Sequence, residues 1–172
     1  MKFIVVRVVV SSIFLISAFI WGHRKDWKKY YHTMCFFGMG DLIYIAVFRE
    51  KPLWLFPPAF LVPAVDEVLL VFAVFFPTTL LFLSNYPKKL SKQIVYNALW
   101  IGIYMVIEIV DLKIGVIQHY NGWNIWWSLL HNTIQFPLIA LHNKKPLLAW
   151  GIALVFLVVV MKIFDVPILT KP

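Results

Sequence analysis

Residues 3–21 read FIVVRVVVSSIFLISAFIW, and residues 23–32 that follow read HRKDWKKYYH. The first stretch is apolar except for Arg7 and is close to the ~20 residues a helix needs to cross a hydrocarbon core. The second is short and basic, as loops on the cytoplasmic side of a membrane tend to be. A signal peptide has a similar apolar run, but Ala18-Phe19-Ile20-Trp21 is a poor cleavage site. The sequence therefore predicts a retained first span.

The same unit recurs down the chain. Apolar stretches at about 33–48, 66–84, 92–117, 123–141 and 147–166 give five further spans. Residues 52–85 would make a helix of roughly 50 Å, too long for one crossing. Pro57, Pro58 and Pro63 break it in any case. Residues 53–65 are thus expected as an irregular, interfacial or re-entrant piece before span three. The composition agrees: 62% of the 172 residues are hydrophobic and 14% charged, against roughly 45–50% and 25% in soluble domains. The predicted fold is all-α, a single polytopic membrane helix bundle of six transmembrane helices over 1–172, with the lipid bilayer as its first partner.

Charge gives the orientation. Arg24, Lys25, Lys28, Lys29, Lys88, Lys89, Lys92, Lys144 and Lys145 cluster in the loops 22–32, 86–93 and 142–146, with Asp26 as their only acid. The positive-inside bias makes those loops cytoplasmic. Glu50, Asp66, Glu67, Glu108, Asp111 and Asp165 all fall in the opposite half, and Asp41 falls mid-span. The net charge of +8 therefore reports topology, and no nucleic-acid partner is expected. The single cysteine, Cys35, excludes an intrachain disulfide.

Ionisable residues inside spans are costly and mark candidate sites. Gly38-Met39-Gly40-Asp41 matches the GxGD signature of intramembrane aspartyl proteases. Those enzymes need a second carboxylate sharing a proton with the first, and the only acid before Asp41 is Asp26, in a basic loop. Two small residues also suit close helix packing. Glu108 and Asp111 share a helix face with Tyr104 one turn earlier. They either hold a cation or pair structurally with Lys113, Arg7 or Lys162. Asp66 and Glu67 sit in the first turn of span three, where acids favour the helix dipole. Asn124, Ser128, His131, Asn132 and Gln135 stripe span five, to bond neighbouring helices or to line a polar cavity. Trp54, Trp123, Trp126 and Trp127 are expected in an outer aromatic belt, with Trp21 and Trp27 in the inner one. No metal-ligand spacing, P-loop or Gly-x-Ser-x-Gly motif occurs, so neither cofactor nor metal is expected.

Trp27-Lys28-Lys29-Tyr30-Tyr31, Gly40-Asp41-Leu42-Ile43-Tyr44, Asn121-Gly122-Trp123-Asn124 through Trp127-Ser128, and Phe164-Asp165-Val166-Pro167 lie along most of the chain. Together they resemble a family of small multi-pass membrane proteins of bacilli and clostridia to which no activity is assigned. The resemblance implies a Gram-positive cell membrane and a packing role for Gly40-Asp41. It supplies no catalytic or binding residues.

The expected function is non-enzymatic: binding or translocation of a small, cationic ligand in an outward-facing cavity. Its lining would be Tyr104, Glu108, Asp111, His131 and Gln135, with Asp41 behind. The alternatives are a membrane-embedded enzyme, of the GxGD aspartyl protease or lipid-modifying kind, and an accessory subunit bound to a membrane-protein partner.

Overall fold

The computed structural model describes residues 2–57 and 63–167. Six helical rods make an all-α membrane bundle: α1 (Lys2–Trp21), α2 (Trp27–Val47), α3 (Pro63–Leu70) continuing into α4 (Phe76–Ser84), α5 (Leu90–Ile114), α6 (Ile125–His142) and α7 (Pro146–Ile163). α1, the α3–α4 rod, α5 and α7 are long and apolar enough to cross a membrane. The two more polar rods are inside: α2 packs on α4 and α6, and α6 packs on α5 and α7 as well. That placement follows from solvation, because lipid cannot hydrogen-bond the polar side chains of α2 and α6.

The rods alternate in direction. Asn85 Nδ2 donates to Trp21 O at 3.3 Å and Thr33 Oγ1 lies 3.0 Å from His142 Nδ1, so the basic loops share one end. At the other end Arg7 pairs with Asp66 at 3.2 Å, and Asn121 Nδ2 donates to Pro52 O at 2.6 Å.

Boundaries differ from expectation at several ends, three of which have a clear local cause. The basic stretch from Trp27 to His32 is already helical, after one 3-10 turn at Arg24–Asp26. Lys is a good helix former and nothing there breaks a helix, so the charges occupy the first turns of α2. α5 stops at Ile114, not at 117, because Gly115, at φ 79°, closes it in a Schellman turn with Val116 N bonded to Asp111 O at 2.8 Å. α6 starts at Ile125, since Asn124 caps it by accepting from the amides of Trp126 and Trp127.

The α3–α4 rod contains a π turn, Val71–Phe75, closed by Phe76 N to Val71 O. Pro77 explains it: the ring cannot donate and crowds the carbonyl four residues back, so the preceding turn widens. Val71 seats against Gly38 of α2, where a Cβ would lie 2.5 Å from Val71 Cγ1. At Gly40 a Cβ would meet nothing within 4 Å. The packing role expected of Gly40 therefore belongs to Gly38. Because valine is stiff at χ1, Gly38→Ala is expected to lower stability by about 1–3 kcal/mol. Gly40→Ala should be neutral or mildly stabilising through helix propensity. Detergent-resistant unfolding curves of the two variants side by side check this.

Candidate functional site

A cavity of about 310 Å³ runs among the rods from Leu53 and Trp123, at the end opposite the basic loops, to Phe36 and Trp150 nearer those loops. Asp41, Tyr104, Glu108, Asp111, His131 and Gln135 all line it. They come from three rods, α2, α5 and α6. Among the described residues no lysine or arginine does.

The roof is a strap that periodicity did not reveal. Trp54–Leu55 (β1) pairs antiparallel with Gln118–His119 (β2), Trp54 opposite His119. Two-residue strands are too short to hold themselves, and a phenol supplies the rest. Tyr44 Oη accepts from the amides of Leu53 at 3.0 Å and Trp54 at 2.8 Å. It donates to Trp54 O at 2.7 Å. The Tyr44 ring lies flat on the Trp54 indole, centroids 3.7 Å apart and planes within 4°. Tyr120 N adds a bond to Leu53 O at 2.7 Å, and Leu53 is fully buried. Of the stretch 53–65 expected to be interfacial or re-entrant, 53–57 is thus a strap across the bundle end, 58–62 lie outside the described residues, and 63–65 are already the first turn of α3, since proline is tolerated at a helix start.

The strap corrects the aromatic belt. Trp126, 73% exposed, and Trp21 and Trp27 are placed on the surface as a belt requires. Trp123 is buried, its indole N–H donating to Ser128 Oγ at 2.9 Å, and Trp54 is held by Tyr44. An indole N–H with a partner and a ring with a stacking surface favour burial over the interface. Trp54, Trp123 and Phe156 surround His131, with ring centroids 5.7, 6.4 and 5.9 Å away.

The acids divide by partner. Glu108 is bonded to His119 Nε2 of the strap at 2.8 Å and also accepts from Ser128 Oγ. This replaces the expected pairing of Glu108 with Lys113, Arg7 or Lys162. Lys113 and Lys162 are exposed, and Arg7 is taken by Asp66 because α1 packs against the α3–α4 rod. The first-turn acid of α3 is therefore an ion-pair partner as well as a dipole ligand. The side chain of Asp111, a residue 8% exposed, makes no hydrogen bond or ion pair among the described residues. Asp41 Oδ2 is buried and has no hydrogen-bond partner there either. Glu67 of α3 stands near enough to Asp41 to act on its charge.

The polar stripe of α6 serves several tasks. Ser128 reaches α5 through Glu108, Asn132 donates to Ser128 O at 2.9 Å within its own helix, and His131 and Gln135 face the cavity. Tyr104 is fixed by Thr78 of α4, with oxygens 2.8 Å apart. Phe36 and Trp150 line the cavity too, and Phe36 stacks, centroids 4.1 Å apart, on His142, which is bonded to Thr33.

Tyr44, Trp54 and His119 complete the site without having been expected in it, whereas Ser128, expected in the polar stripe, joins it through Glu108. A signal existed for Tyr44, three residues after Asp41 on the same helix face. Among the described residues no group of three or more His, Cys, Asp or Glu is placed to hold a metal. Compared with known proteins, the chain matches no protein-family model, no curated protein and no solved structure.

Proposed function

We propose that this chain is a multi-pass protein of a bacterial cell membrane, its basic loops cytoplasmic, that binds or translocates a small organic cation through the cavity. One observation carries the reading: Asp41, whose buried Oδ2 has no hydrogen-bond partner among the described residues, and Asp111 line one aromatic-walled space that no described lysine or arginine lines. A carboxylate held away from water is costly unless an opposite charge meets it. Ring faces such as Trp54 and Trp123 add attraction for a cation. A space of about 310 Å³ is at the small end of ligand pockets. Cytoplasmic placement of the basic loops rests on the positive-inside bias.

The test is a thermal-shift panel of primary and quaternary amines on the protein purified in detergent. A ligand at about a hundred times its Kd stabilises by about 2.7 kcal/mol, or roughly 5–10 °C for a chain of this size. The Asp41→Asn/Asp111→Asn variant is expected to lose that shift. A panel in which no cation moves the wild-type transition overturns the reading, as does a double variant that responds like the wild type.

A further inference from the structure

The open carboxylates stand on two separate walls. Asp41 belongs to α2 and Asp111 to α5; α2 packs on α4 and α6, whereas α5 packs on α6, which meets both. Each wall offers one acid side chain without a hydrogen-bond partner among the described residues, because Glu108 is already bonded to His119 and Ser128. Much of the remaining lining is apolar, including Val10, Val74, Phe75 and Ile107. A ligand with a single positive charge neutralises one carboxylate and leaves the other buried and unpaired, which is the costly arrangement. A ligand with two charges joined by an apolar spacer meets both acids and the wall between.

We infer that the cavity takes a linear dication, two protonated amines on an aliphatic chain, one amine on Asp41 of α2 and the other on Asp111 of α5. The inference rests on the reading of the cavity as a cation site and narrows it to a ligand class. Such a ligand has two further requirements that the site meets. Its methylenes need an apolar surface, and each ammonium needs acceptors beyond the carboxylate, which Gln135 and Tyr104 line the cavity to provide.

Isothermal titration of the detergent-solubilised full chain with α,ω-diaminoalkanes from propane to octane, and with the matching n-alkylamines, tests it. Diamines are expected to bind at least about tenfold more tightly than monoamines of equal length, with one spacer length preferred. Asp41→Asn and Asp111→Asn, near-isosteric with the native residues, should each bring diamines down to the monoamine level and flatten the length dependence. The wild-type length profile alone decides the matter should a variant fail to fold. Monoamines binding as tightly as diamines overturn the dication and leave the cation cavity standing. A length optimum that survives in Asp41→Asn overturns it too. Absence of binding by every amine overturns both readings.

Discussion

Arg7→Leu is expected to lower the free energy of unfolding by about 3–5 kcal/mol, the loss typical of a buried ion pair deprived of one partner. Arg7 and Asp66 are 3.2 Å apart, their side chains 14% and 6% exposed. The guanidinium also lies over the Phe56 ring, 5.4 Å from its centroid. Its removal leaves the Asp66 carboxylate in a place from which water is largely excluded. The loss therefore includes the cost of a buried carboxylate deprived of this counter-charge as well as the bond itself. The double variant Arg7→Leu/Asp66→Leu should accordingly be closer to wild type than Arg7→Leu alone, because two apolar side chains desolvate no charge. Unfolding by SDS in mixed micelles, run as a double-mutant cycle, measures both. A double variant less stable than the single one would show that the two residues do not act as a pair.

Tyr44→Phe is expected to loosen the strap while leaving the bundle folded. The substitution keeps the ring that stacks on Trp54 and removes only the oxygen. That oxygen serves two amides and one carbonyl of the strap. Each amide left without a partner costs about 1–3 kcal/mol. The neighbouring ribbon is too short to compensate. Hydrogen exchange at Leu53 and Trp54 should accelerate by roughly one to two powers of ten, with amides in the middle of α5 and α6 little changed. Cation affinity should fall with it, since Trp54 forms part of the cavity wall. Exchange at Leu53 and Trp54 that stays at the wild-type rate would mean the ribbon holds the strap without the phenol.

The bundle was legible in the sequence because its two strongest signals are one-dimensional. Hydropathy marks the spans, and the basic clusters around Lys28, Lys88 and Lys144 mark every second loop. The inward faces were legible for a related reason: Asp41, Glu108 and His131 are too polar to face lipid, so each predicts the rotation of its own helix. Pairings between rods were not legible. Whether Arg7 meets Asp66 or Glu108 depends on which rods are neighbours, and apolar spans of similar length carry no label for that. The strap was hidden because its backbone is bonded by a side chain ten residues away, Tyr44 to Trp54, and such a bond leaves no period. Trp54 and Trp123 misled for a similar reason. Tryptophan near a span end suits the membrane interface, and only the presence of Tyr44 and Ser128 as partners turns these two inward.

The wide turn at Val71–Phe75 has a geometric consequence. One residue more than an α-helix holds in that turn shifts the phase of everything after it by about 100°. The rod can therefore serve two directions that a regular helix of the same sequence would not reach together. Before the turn it offers Asp66 to Arg7 of α1. After it, the same rod offers Thr78 to Tyr104 of α5. The proline that forces the turn thus sets the azimuth of a cavity residue on a helix it does not belong to.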